Sequence, residues 1–202
     1  RLHPADLVRG LARPGRVLVV DEAFMDSVPG EPESLAADRT TPGLVVVRSL
    51  TKQFALAGLR AGYLLAAPPL VTALQAGRPL WPVSSPALAA TKACVSASAV
   101  AQSRCWAEQT QRLRDRWVDR LDALAGVRVC RPAAASFLLL RVRDGEAVRL
   151  RLRGRGFAVR RGDTFPGLGP DWLRIAVRDE ATHERFVQAL WQSLPAGVGQ
   201  CW

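Results

Sequence analysis

Short apolar runs with little alternation mark the first third of the chain. RVLVV (Arg16–Val20), LVVVRSL (Leu44–Leu50) and AGYLLAA (Ala61–Ala67) are such runs, as expected of strands buried on both faces of a parallel sheet. Pro68 and Pro69 then stop the third strand and open a helix, because proline suits a first helical turn and cannot extend a ladder. An alanine-rich segment from Pro86 to about Trp106, free of internal glycine and proline, predicts helix. It passes into EQTQRLRDRWVDRLDAL, where Leu113, Trp117, Leu121 and Leu124 share one helical face. Gly126 is the stop signal.

Beyond Gly126 the pattern changes. VRVC (Val127–Cys130), SFLLLRV (Ser136–Val142), FAVR (Phe157–Arg160) and WLRIAV (Trp172–Val177) predict strands, with a short helix in GEAVRLRLRGR. DEATHERFVQALWQSL predicts a closing amphipathic helix with Asp179 as its N-cap. Buried parallel strands followed by a smaller α+β unit define an α/β protein in two parts. The expected domains are residues 1–104 and residues 105–202, divided inside the long helical region.

Composition narrows the function classes. Hydrophobic residues are 49% and charged residues 23% of the 202 positions, a globular balance. No apolar run reaches the roughly 18 residues of a membrane helix. The opening RLHPADLVRG is polar and mixed, without a signal-peptide pattern and without an initiator methionine. A cytoplasmic protein with no membrane partner is expected, its natural start lying upstream of Arg1. The net charge of +10 is dispersed rather than clustered among aromatics, so the expected partner is a small anion and not nucleic acid. Even the densest run, RLRLRGRGFAVRR from Arg149, lies beside a predicted helix and strand. Cys94, Cys105, Cys130, Cys201, His3 and His183 show no metal-ligand spacing. No metal site is expected, and the thiols are read as reduced.

Lysine carries the chemical signal. Of 28 basic residues only Lys52 and Lys92 are lysines. Asp21 follows one predicted strand directly, Ser49 and Lys52 fall at the end of the next, and Arg60 comes eight residues after Lys52. In an open α/β sheet, ligands bind outside the carboxyl ends of the strands, so these side chains can face one crevice. An amine can form a Schiff base where a guanidinium cannot. A lysine at one end of a ring and a carboxylate at its nitrogen is the pairing that pyridoxal phosphate requires. Ser49 and Arg60 can hold a phosphate. A plain surface-loop lysine is the other reading of Lys52 at this point.

VVDEAF, SLTKQFALAGLRAGY, SFLLLRV and WLRIAVR resemble, in order and spacing, the fold-type I pyridoxal-phosphate enzymes of the class I/II aminotransferase superfamily. The resemblance runs toward the histidinol-phosphate aminotransferase group and its threonine-phosphate decarboxylase relative in cobalamin synthesis, and covers nearly the whole chain. It implies a three-layer αβα fold with a mostly parallel sheet, lacking its N-terminal part, plus a small C-terminal α+β domain. It implies that Lys52 forms the Schiff base with pyridoxal 5'-phosphate and shuttles the proton. Asp21 pairs with the pyridine nitrogen, and Ser49 and Arg60 contact the cofactor phosphate. Arg174 binds a substrate carboxylate or equivalent anion. Arg160 helps to hold an anionic substrate group, with Arg161 as a rival for that role. A phosphorylated amino substrate and a homodimer are implied as partners.

Two departures qualify the match. Many relatives carry a tyrosine where this chain has Phe24, so a phenol to the cofactor's ring oxygen is missing. The Gly-rich phosphate loop, the cofactor-stacking aromatic and the Asn-Pro motif of the family belong upstream of Arg1. The chain therefore reads as the C-terminal half to two-thirds of such an enzyme, and these residues alone are expected to have little or no activity. Arg178, which follows IAV where aminotransferases more often have glycine, favours a threonine-phosphate decarboxylase-like reaction, and Phe24 fits that branch at least as well as ordinary transaminases. Histidinol-phosphate or related aminotransferase is the alternative, and an inactive relative acting as a binding module is a further one.

Overall fold

A computed structural model describes residues 4–195. The described residues fall into two compact units, the first running to Glu108 and the second beginning at Gln109.

The first unit contains α1 (Ala5–Arg9), β1 (Leu18–Asp21), a 3-10 turn over Met25–Ser27, β2 (Leu44–Ser49), α2 (Leu50–Gln53) and a second 3-10 turn over Ala57–Leu59. β3 (Gly62–Ala66), α3 (Pro68–Ala76), α4 (Ser85–Cys94) and the start of α5 (Ala97–Asp122) follow. Its sheet has the order β1-β2-β3. β1 and β2 are parallel, with Asp21 opposite Val47. β3 is antiparallel to β2, which corrects the expectation of three parallel strands. A parallel return needs a crossover of about a dozen residues or more, usually a long helix; here the connection holds only the 4-residue α2 and a 3-10 turn.

Burial corrects a second expectation. β2 is largely buried, but β1 alternates, with Val20 at 6% exposure and Val19 at 63%. Val20, Leu44 and Val46 face a core that includes Ala5 and Val8 of α1 and Leu35 of the following loop. β3 is exposed over Tyr63 and Leu64. The helix expected from Pro86 onward breaks at Val95 and Ser96, where the Ser96 hydroxyl accepts a hydrogen bond from the Ala99 amide at 3.3 Å and opens α5. A serine that satisfies an orphan amide favours a helix start over an interior position.

The second unit holds the remainder of α5, β4 (Val127–Val129), β5 (Phe137–Val142), α6 (Gly145–Gly154), β6 (Arg160–Arg161), β7 (Trp172–Ala176) and α7 (Glu180–Trp191). Its sheet is antiparallel, in the order β4-β5-β7-β6. Alternate residues of β5 (Leu138, Leu140, Val142) and β7 (Leu173, Ile175) enter one core with Trp117 and Leu121 of α5, Val148 and Leu152 of α6, and Phe186 and Leu190 of α7. Asp179 caps α7 by accepting from the Thr182 amide at 2.9 Å. FAVR pairs only at its last residue, while Phe157 and Val159 pack against the core.

One core residue of this unit titrates. His183 is 2% exposed and its ring centroid lies 3.8 Å from that of Trp117. Neither ring nitrogen has a hydrogen-bond partner among the described residues. Burial, and then the charge of Arg120, lowers its pKa from the ordinary 6.5 to about 4. The unfolded chain therefore binds a proton that the folded one refuses, so stability is full above the unfolded pKa and falls as pH drops toward the folded one. Urea unfolding should show a loss of about 2 kcal/mol between about pH 7.5 and about pH 5 from this residue. His183→Phe is expected to flatten that part of the pH profile; an unchanged slope would assign the acid sensitivity elsewhere.

Candidate functional site

The parallel pairing of β1 and β2 brings both carboxyl ends to the same edge of the sheet, and the Glu22 amide extends the pairing by donating to the Val47 carbonyl at 2.9 Å. β3, running the other way, begins at that edge, with Gly62 opposite Ser49. A Cβ on Gly62 would stand 2.7 Å from the Arg48 carbonyl oxygen, so only glycine allows this approach. Asp21, Ser49, Lys52 and Arg60 thus gather at one end of one sheet despite their separation in sequence.

Each has a defined environment. The exposed Asp21 accepts the Ala23 amide on Oδ1 at 2.9 Å. Its neighbour Phe24 opens the 3-10 turn. Lys52, exposed on α2, holds its Nζ 5.6 Å from the centroid of the Phe24 ring, within cation–π range. Ser49 Oγ and Thr51 Oγ1 are 2.7 Å apart. Arg60 adopts the left-handed conformation, φ 51° and ψ 44°, and its guanidinium donates to the Ala57 carbonyl at 3.1 Å. Left-handed backbone at a non-glycine residue costs on the order of 1 kcal/mol or more and clusters at ligand-binding positions.

Beneath this edge lies a polar network that the sequence reading missed. Glu22 follows Asp21, and Arg48 precedes Ser49; both are buried, at 2% and 4% exposure. The Arg48 guanidinium meets Glu22 Oε2 at 2.9 Å and Asp26 Oδ1 at 2.7 Å, and also pairs with Glu31. It donates to Ser34 Oγ at 2.8 Å, and that hydroxyl donates to Glu22 Oε2 at 2.9 Å. Glu22 Oε1 accepts the Leu35 amide at 2.7 Å. Burial pulls the Arg48 pKa down, but the hydrogen bond to Glu31 and the charges of Glu31, Asp26 and Glu22 outweigh it and leave it raised. Burial raises the Asp26 pKa in spite of Arg48. The signal was present in the sequence as a charge inside an apolar strand, which demands a buried partner.

Arg160 and Arg174 form a separate set in the second unit, directly opposite each other on β6 and β7. The Arg160 guanidinium lies 4.9 Å from the Phe165 ring centroid, and that of Arg174 lies 5.0 Å from Phe137 and 5.8 Å from Phe165. Neither arginine has a carboxylate at ion-pair distance among the described residues. Burial, and then the charge of Arg160, lowers the Arg174 pKa. Arg161, next along β6, is instead engaged by Asp163 through two hydrogen bonds, and the pair holds the Asp163 pKa below its ordinary value.

An amine just after the second of two parallel strands, a carboxylate at the end of the first, and a hydroxyl and a guanidinium at the same edge are what this α/β unit brings together there. Residues 5–190 match the family model described as aminotransferase class I and II, and the chain belongs to that family. It is 45% identical over 179 residues to a histidinol-phosphate aminotransferase of Mycobacterium tuberculosis, covering 89% of this chain and 48% of that protein. It is 33% identical over 177 residues to the threonine-phosphate decarboxylase of Salmonella typhimurium, covering 86% of this chain and 47% of that protein. Among solved structures it is similar to the L-threonine-O-3-phosphate decarboxylase of Porphyromonas gingivalis, with TM-score 0.81 and 26% identity over 93% of this chain and 57% of that one. The chain spans about half the length of the curated relatives it matches.

The buried network makes a stability prediction. Arg48→Met removes the buried cation opposite Glu22, Asp26 and Glu31, which should cost about 3–5 kcal/mol in urea unfolding. A loss below about 1 kcal/mol, the value typical of surface pairs, would show that solvent reaches the network.

Proposed function

We propose that this chain carries the catalytic lysine of a pyridoxal-phosphate enzyme acting on a phosphorylated amino compound, with an aminotransferase of the histidinol-phosphate kind as the first reading. One observation carries the proposal: Lys52, Asp21, Ser49 and Arg60 stand at one end of one sheet, where the parallel β1–β2 pair and the start of β3 converge. The donor set fits the cofactor: a primary amine for its aldehyde, a carboxylate for its ring nitrogen, and a hydroxyl with a guanidinium for its phosphate.

Pyridoxal phosphate, when bound, supplies an electron sink for charge at the substrate's Cα. The chain's own residues do the rest. Lys52 Nζ would hold the aldehyde end of the cofactor and would serve as the general base that takes and returns a proton at the substrate's Cα. Asp21 would hold the ring nitrogen and keep its proton in place. Phe24 gives no hydroxyl, so its contribution is the apolar face against Lys52. Arg174 and Arg160 are two adjacent cations on β7 and β6, suited to an anionic group such as a carboxylate or phosphate, and the Asp163 partnership of Arg161 favours Arg160 for that role.

Identity supports the aminotransferase reading over the decarboxylase reading that Phe24 and Arg178 suggested: 45% over 179 residues against 33% over 177. The likeness to the Porphyromonas decarboxylase structure, with TM-score 0.81, keeps the second reading in view. The two reactions differ in which bond at the substrate's Cα is broken.

Protein from the complete reading frame should take up pyridoxal phosphate with a visible absorption band. Borohydride reduction should fix the cofactor's mass on Lys52, and Lys52→Ala should lose both signals. Turnover of histidinol phosphate with a 2-oxo acid supports the first reading, and carbon dioxide release from threonine phosphate the second. Cofactor uptake with neither reaction points to another amino substrate, and no uptake to a non-catalytic binding module. Arg174→Ala should lower kcat/KM by about ten- to a hundredfold, the worth of a charged hydrogen bond. Arg161→Ala should change it by less than about threefold, as expected of an exposed ion pair.

A further inference from the structure

The polar network lies one residue inward from the proposed cofactor contacts on both strands. Glu22 and Asp21 are consecutive, as are Arg48 and Ser49, and successive strand residues point to opposite faces. Asp21 is exposed while Glu22 is buried, and Arg48 is buried while Ser49 is only half-buried. Whatever fixes Glu22 and Arg48 on the inner face therefore sets where Asp21 and Ser49 project on the outer one.

The two buried side chains are held from several sides, with only Arg48 Nε lacking a hydrogen-bond partner between them among the described residues. Glu22 uses both carboxylate oxygens, one on the Leu35 amide and one on Ser34 Oγ and Arg48. Arg48 spreads its terminal nitrogens over Glu22, Asp26, Glu31 and Ser34. Asp26 and Glu31 come from the segment that follows Phe24, so the same guanidinium also anchors the turn that carries the ring beneath Lys52. A network of this kind fixes geometry more than it adds net stability, because desolvation offsets most of the Coulomb gain.

We propose that Glu22 and Arg48 are a positioning pair for the cofactor site: their buried ion pair, bridged by Ser34, holds the ends of β1 and β2 so that Asp21, Ser49 and Lys52 face one ligand. The proposal rests on the cofactor reading above. Neither residue touches the ligand; both act through the backbone of the residues beside them.

The test uses protein from the complete reading frame, titrated with pyridoxal phosphate. It compares wild type, Glu22→Gln, Ser34→Ala and the control Val46→Ala, which opens a cavity in the core of β2 without removing a polar group. Two quantities are read: the Kd of the cofactor and the visible circular dichroism of the bound form, with thermal unfolding of the unliganded protein as the measure of stability. Glu22→Gln should weaken binding by about ten- to a hundredfold, the range for losing an outer partner of a ligating group, and alter the dichroic band. Ser34→Ala should shift both in the same direction by less, and it decides the matter if Glu22→Gln does not fold. Val46→Ala should lower the unfolding temperature while leaving both cofactor readouts at wild type. Equal effects from Val46→Ala and the network variants at matched stability, or wild-type binding in both network variants, overturn the positioning role and leave the cofactor reading intact. Failure of the wild type to take up the cofactor overturns that reading, and the proposal with it.

Discussion

A buried guanidinium at the end of a strand is costly to solvate and more costly to strand, and the first unit is organised around satisfying one. Arg48 stands in the middle of an otherwise apolar run, at 4% exposure. It is compensated by carboxylates drawn from a single loop: Glu22, Asp26 and Glu31. Since breaking such an arrangement leaves an uncompensated interior charge, the loop has little freedom to leave the sheet edge. The parallel pairing that brings Asp21 and Lys52 to one end of the sheet and the ion network that fixes that end depend on each other. Glu22 takes part in both, its amide on Val47 and its carboxylate on Arg48.

What the sequence made legible was whatever depends on local pattern. Most strand positions, the proline entry to α3 and the Asp179 cap follow from residue type and spacing alone and are present, FAVR being the exception that pairs only at Arg160. Strand direction is not local. AGYLLAA reads the same whether it runs with β2 or against it, and only the short connection, with no crossover helix, turns it antiparallel. Burial is not local either: RVLVV suggests two covered faces, whereas Val19 lies open while Val20 is enclosed.

The same limit applies to the site. Lys52, Asp21, Ser49 and Arg60 could be chosen from the sequence because each brings a chemistry that the others lack, and a shared strand end gives them one place to act. Glu22 and Arg48 could not be chosen that way. Charged residues are read as solvated unless a partner is visible, and theirs lie between 12 and 26 residues away in the chain. The choice between Arg160 and Arg161 waited on register for a similar reason. Adjacent strand residues face opposite ways, and only the pairing of Arg160 with Arg174, together with the capture of Arg161 by Asp163, separates the two.

The two basic residue types divide the chemistry between them. Arg160 and Arg174 lie over aromatic faces, and burial, then the charge of Arg160, lowers the Arg174 pKa. A guanidinium tolerates that setting because its charge is delocalised and its fork matches carboxylate and phosphate oxygens. At position 52 the same properties would be a defect, since a group that cannot surrender its proton cannot attack a carbonyl or carry a proton to and from carbon. A chain with two lysines among 28 basic residues uses arginine wherever charge alone is needed. It places one of those lysines over the Phe24 ring, at the edge where two parallel strands end. The scarcity of lysine and the position of this one single out the same nitrogen for independent reasons, one compositional and one spatial.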